Sequence, residues 1–220
     1  MSIGNEVDAG AFSDWLRAMR AVLRDEQDAA VPCGDCVGCC VSSYPIPLRP
    51  SDAVAQEQVP EQFLLHGPHP PGHMLMGFRD DGSCPFLFER ACSIYRDRPQ
   101  TCRDYDCRIF AATGQLPGPR PIIRERVAAW RFRYPAEEDR LDAAAVRRAA
   151  DFIGRYKDQF PVHMRVGTPV AAAVVAVKSY GLFLARVAAP EGNVDVALLV
   201  AEVVAVAHTF DQASQNKKRG

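Results

Sequence analysis

The chain has 220 residues, 48% apolar and 24% charged, with a formal net charge of −1. That is ordinary globular composition, which argues against disorder, and the near-neutral balance gives no electrostatic reason to expect nucleic acid or an anionic membrane as partner. The N-terminus carries early acidic residues and no continuous apolar run, so it does not read as a secretory signal, and a cytoplasmic protein is expected.

In chain order, Phe12, Trp15, Leu16, Met19 and Leu23 recur at helical spacing and predict an amphipathic helix within residues 1–32, expected to lie across the cysteine-rich part of the chain. From Cys33 to Pro121 the periodicity is weak; all eight cysteines and most of the 17 prolines fall here. Ser51 can cap a short helix through Gln58. HGPHPPGH is a loop by its glycines and prolines, and Asp81-Gly82 between apolar runs signals a hairpin, with Pro85 confining its strand to an edge.

Beyond Pro121 the pattern is helical. Leu141, Ala145, Ala149, Phe152, Ile153, Tyr156 and Phe160 predict one helix ended by Pro161. Thr168-Pro169 opens a second, through Ala189, and Asn193 can cap a third over Val194 to His208. The second is apolar enough to test as a membrane span, but Lys178, Gly181 and Arg186 interrupt it, so it reads as a buried helix. The alanine- and valine-rich stripes read as core, the alternative being a surface for a protein partner. The expected organisation is an N-terminal helix (1–32), a cysteine-rich domain (33–121), a helical region (122–212) and a flexible basic tail (213–220). The fold class is mainly α, with a small irregular metal-binding subdomain of short β-hairpins and a C-terminal helical bundle.

The cysteines follow C-x2-C-x2-CC and then C-x7-C-x9-C-x4-C, at Cys33, Cys36, Cys39, Cys40, Cys84, Cys92, Cys102 and Cys107. Two-residue spacings let neighbouring thiolates reach one ion, and Gly34 and Gly38 free backbone N–H groups to point at sulfur. A disulfide framework fits an even count but not a reducing compartment, and a redox dithiol lacks its βαβ context. Metal ligation by these eight residues is the favoured reading, as two four-cysteine zinc sites or an iron–sulfur cluster with further thiols. Arg90, Arg96, Arg98, Arg103 and Arg108 are candidate cations beside the sulfurs, while His66, His69 and His73 are either additional ligands or surface residues.

CGDCVGCC followed by GSCPFLFERACSIYRDRPQTCRDYDC resembles the YkgJ-like cysteine-cluster family, the zinc- or iron-chelating CxxCxxCC domain. The resemblance rests on the eight cysteines with Pro85, Ile94, Tyr95, Arg98, Pro99, Arg103 and Tyr105. It implies chelation of zinc or iron and leaves catalysis open. Some relatives are flagellin lysine N-methylases, so an iron–sulfur-dependent protein-modifying enzyme is one alternative and metal storage or delivery another. Against the enzyme, no glycine-rich nucleoside loop is present, and a C-x3-C-x2-C triplet starting at Cys36 fails because Ser43 stands at its third position. From the residues themselves, Arg98-Pro99 can begin a short helix presenting Cys102 and Cys107, with Arg98 and Arg103 able to donate to thiolates or carboxylates.

Overall fold

The structure, a computed structural model, describes residues 6–67, 69–164, 166–187 and 194–217. In chain order the elements are β1 (Val7–Ala11), α1 (Phe12–Val22), β2 (Ile46–Leu48), α2 (Ala53–Gln58), β3 (Met74–Met76), β4 (Leu87–Phe88), β5 (Ala91–Cys92), α3 (Gln100–Asp104), α4 (Arg108–Thr113), α5 (Pro121–Ala129), β6 (Trp130–Arg133), α6 (Glu137–Arg155), α7 (Pro169–Ser179), α8 (Gly181–Val187) and α9 (Val196–Lys217). They form two compact units: Met1–Gln27 with Asp106–Gly220, and Asp28–Tyr105. The fold is mainly α with a few short strands, as expected. The cysteine-rich unit, however, begins before Cys33 and ends well before Pro121, so Cys107 belongs to the helical unit.

In the helical unit, α1 buries Phe12, Trp15, Leu16, Met19 and Val22 on one face. Within this unit it packs on α6 and α7. The parallel pair β1–β6 was not anticipated, because its strands are distant in sequence; Phe132 meets Phe12 at 5.0 Å and Trp15 at 5.1 Å between ring centroids. Trp15 Nε1 donates to Asp106 at 3.0 Å, and the buried Asp106 also pairs with Arg108 at 2.7 Å, fixing where α4 begins.

Helix α6 supplies Ala145, Ala149, Ala150 and Ile153 to a core shared with Val175 and Ala176 of α7, Phe183 of α8, and Leu199, Val203 and Ala207 of α9. Small side chains on α6 and α7 allow close helix approach. Phe160 is buried as expected, yet α6 stops at Arg155 and a 3-10 turn over Lys157–Gln159 carries the chain on. Hydrophobic spacing reports which side faces the core, and a tighter turn can keep that side inward.

Thr168 caps α7 as predicted, its Oγ1 accepting from Ala171 N at 3.3 Å. The single helix expected through Ala189 is instead two, α7 and α8, bent by 74°. Ser179 Oγ donates to the Val175 carbonyl at 2.8 Å just before Gly181, a back-bond that bends helices beside a poor helix former. Asn193 lies outside the described residues. Asp195 does the capping seen here, with Oδ1 accepting from Leu198 N at 3.0 Å, and α9 continues past His208 into the expected tail as far as Lys217. Its window Val196–Ala213, with a mean hydropathy of 1.4, is long and apolar enough to cross a membrane, and 28% of it is buried.

The cysteine-rich unit has a core of Leu48, Ala55, Val59, Met76, Phe86 and Ile94, with Cys84 buried among them and Cys40 and Cys92 packed against it. Strand β3 pairs antiparallel with β2, and β4 pairs with β5. Thus Asp81-Gly82 makes a turn, but no hairpin joins the runs on either side of it. Gly82 has φ of 82° and an added Cβ would stand 2.7 Å from Ser43 Oγ, so glycine is required there. The hairpin turn is Glu89-Arg90, with φ of 45° and 65°, the type I′ pattern in residues that rarely adopt it.

Asp139 ties α6 to α1, accepting from Ser13 N through Oδ1 and from Ala136 N through Oδ2, each at 2.9 Å. These amides, Ser13 foremost, hold its carboxyl below the usual carboxylate range. Its contribution is therefore complete above the unfolded carboxylate pKa and is lost as pH falls through the lower folded value. Asp139→Asn keeps one acceptor of two: the expected outcome is a lower melting temperature at pH 7 and a shallower loss of stability on acidification, measured by calorimetry.

Candidate metal centre

The first cysteine group is held by its own backbone. Cys36 N donates to Cys33 O at 3.0 Å across a turn in which Gly34 takes φ of 53°. Gly38 N donates to Cys36 Sγ at 3.4 Å, the amide-to-sulfur bond anticipated for this glycine and a usual support of metal-bound thiolates. A 3-10 turn over Gly38–Val41 then leaves Cys39 exposed and Cys40 half-buried.

The second group is carried on short elements. Cys84 N donates to Cys40 O at 2.6 Å, joining the two groups through main chain. The segment after Cys84 folds around Arg79, whose guanidinium donates to the carbonyls of Pro85 (2.6 Å), Cys84 (3.0 Å) and Leu87 (3.0 Å) and to Ser83 Oγ (3.2 Å). Hairpin pairing sets Cys92 opposite Leu87, and from the hairpin turn Arg90 donates to Asp35 O at 2.6 Å, pinning the CGDC loop. Cys102 sits on α3, which starts after Arg98-Pro99 as predicted. Buried Asp52 holds its first amide, Oδ1 accepting from Gln100 N at 2.9 Å while Oδ2 accepts from Arg49 N at 2.8 Å.

These supports bring six sulfurs into one electrostatic neighbourhood. Within Cys40, Cys84, Cys92 and Cys102 every pair interacts, and Cys33 and Cys36 act on Cys40. Burial, reinforced by the neighbouring cysteines, pushes the Cys40 thiol up to about 11 and the Cys102 thiol up to about 12, and burial also raises Cys84. No disulfide joins any of the eight cysteines. Cys107 heads α4 in the other unit, where its buried Sγ accepts from Trp130 Nε1 at 3.2 Å.

Of the candidate cations, Arg98 favours the Cys102 thiolate, Arg90 serves the CGDC loop, and Arg108 is committed to Asp106 in the other unit. Arg79, which also favours the Cys84 thiolate, was missed; no local pattern marks an arginine that binds carbonyls further along the chain. Asp52 was missed too, although an acid following Pro50-Ser51 at a helix start is a signal that could have found it. The three loop histidines are exposed; His69 and His73 engage the carbonyls of Leu65 and Pro71.

Among the described residues no three His, Cys, Asp or Glu side chains stand in metal-holding geometry. The sulfurs are gathered by backbone without being closed on a common point. The donor set is soft and all sulfur, it carries an amide-to-sulfur bond, and it lies where burial opposes ionisation unless a cation is present. Zinc or iron fits it.

What is defined is thus a small thiol-rich unit in a chain whose other unit is helical. Residues 32–117 match the model of the CxxCxxCC family, described as a "putative zinc- or iron-chelating domain". The matched segment contains all eight cysteines and agrees with the resemblance read from them. No curated protein and no solved structure matches the chain.

A thiol whose folded pKa exceeds its unfolded value is neutral in both states below about 9, the ordinary thiol value, and its contribution is intact there. As pH rises from there towards 11, Cys40 ionises more readily in the unfolded chain, and stability falls. Metal-free, reduced protein is expected to lose melting temperature steadily over that range, whereas metal-loaded protein, already thiolate, should change little. Melting curves for both forms across the range check this.

Proposed function

We propose that the Asp28–Tyr105 unit is a structural metal module in which Cys40, Cys84, Cys92 and Cys102 hold one zinc or iron ion in an all-sulfur site, with Cys33 and Cys36 as the adjoining pair. The observation that carries this reading is that Cys40, Cys84 and Cys92, from three separate stretches of chain, pack at one small core, with Cys84 N donating to Cys40 O at 2.6 Å; Cys102 is electrostatically coupled to all three. A bound ion supplies the positive charge that lets buried thiols ionise at neutral pH.

The chain's own residues prepare the set. The Gly38 amide supports Cys36, Arg79 shapes the loop after Cys84, the β4–β5 pairing places Cys92, and Asp52 fixes the start of the helix bearing Cys102. Four sulfurs complete a tetrahedral site and leave no position for substrate, which favours a structural ion over a catalytic one. Structural zinc contributes about 10–16 kcal/mol, comparable with the whole stability of a domain, and here it would join four segments around a small core.

Elemental analysis of the full chain, purified without oxygen, is expected to find zinc or iron. Cys84→Ala and Cys102→Ala should each lose it, with the melting transition of the cysteine-rich unit lowered or abolished while most far-UV helical signal stays. Cys39→Ala should keep both metal and transition. Metal retained in both of the first two variants would contradict the assignment.

A further inference from the structure

We propose that Arg98 and Arg103 form a binding site for a phosphate group, with Asp28 as the side chain that a bound phosphate displaces; this stands whether or not the cysteines hold metal. All three residues belong to the Asp28–Tyr105 unit. The two guanidiniums converge on one carboxylate: Arg98 Nη2 stands 4.0 Å from Asp28 Oδ2, and Arg103 Nε stands 4.0 Å from Asp28 Oδ1. Both distances exceed hydrogen-bond reach. The two arginine side chains are 16% and 29% exposed, and the Nε of each is buried without a hydrogen-bond partner. Buried charged donors are costly to leave unsatisfied, and two on arginines that face the same point call for a shared acceptor.

The carboxylates of the unit do not supply it. Asp52 Oδ1 is 3.8 Å from Arg103 Nη2, and the two Asp52 oxygens are already engaged by the amides of Gln100 at 2.9 Å and Arg49 at 2.8 Å. The Asp28 side chain is 51% exposed, and the amide of the next residue, Ala29, donates to Arg103 O at 2.8 Å, so its main chain is anchored while its carboxylate reaches neither guanidinium. A half-exposed ion pair without hydrogen bonds is weak, and a ligand can replace it. Arg98 is braced by Tyr95, with its guanidinium 4.1 Å from the ring centroid. A phosphate group brings up to two negative charges and three acceptor oxygens, against one charge and two oxygens for Asp28, and arginine forks bond such oxygens in pairs.

Isothermal titration calorimetry of the full-length, reduced protein with inorganic phosphate, at fixed ionic strength and with acetate as control, tests this. Wild type is expected to bind phosphate saturably and acetate more weakly. Arg103→Lys, which keeps the charge but loses the fork, should bind phosphate about tenfold more weakly, as for loss of one charge-assisted hydrogen bond, while Asp28→Asn, which removes the competing carboxylate charge, should bind it more tightly. A second arm with O-phosphoserine separates the sources: tighter binding than inorganic phosphate assigns the site to a phosphorylated side chain, and equal or weaker binding assigns it to free phosphate. Phosphate bound no better than acetate, or unchanged phosphate affinity in either variant, would overturn the proposal. Should Arg103→Lys fail to fold, Asp28→Asn decides the matter: tighter phosphate binding supports the site, and unchanged or weaker binding overturns it.

Discussion

Several thiols held together in a poorly solvated place cannot all ionise, because burial penalises each charge and every neighbouring sulfur repels the next. That constraint governs the cysteine-rich unit. Burial and the neighbouring sulfurs favour the neutral form of Cys40, Cys84 and Cys102, and a bound cation would reverse the balance by turning mutual repulsion into shared attraction. An apolar cluster as small as that around Leu48, Met76 and Phe86 leaves much of the conformational entropy of a proline-rich segment to be offset by something else.

The backbone around the sulfurs is organised by charged side chains bonded to main-chain groups. Arg79 collects three carbonyls, Arg90 reaches the carbonyl of Asp35, and Asp52 accepts two amides. Each satisfies polar groups that irregular chain would otherwise leave open. The unit thus substitutes side-chain-to-backbone bonding for the ladders of regular secondary structure. The helical unit is built the other way, with small residues packed along α6 and α7 and with Asp106 and Asp139 joining elements distant in sequence.

How much was legible depends on where the information lies. Thiol spacing expresses ligand chemistry directly, so the CxxCxxCC domain was readable from Cys33 to Cys107, and the faces of α1 and α6 were readable from apolar spacing. The domain boundary was not, since prolines run on to Pro121 while packing changes hands at Asp106, whose partner Trp15 is near the other end of the chain. The β1–β6 pair depends on an equally distant match. Asp81-Gly82 is a turn signal and makes a turn, but strand partners are chosen by tertiary packing, and β3 found β2. A Glu-Arg pair at the hairpin tip carries no local signal, and neither does the break at Gly181, set by a serine hydroxyl on the helix itself. Within the cysteines, spacing could not say that four sulfurs form a mutually interacting set while Cys39 faces solvent and Cys107 sits beside Trp130.

X-ray absorption at the zinc and iron edges of anaerobically purified protein addresses the central claim most directly, because it reports the atoms bound to the ion. The account predicts a first coordination shell composed of sulfur, at about 2.3 Å if the ion is zinc. A shell dominated by oxygen or nitrogen, or no edge of either element, would contradict it.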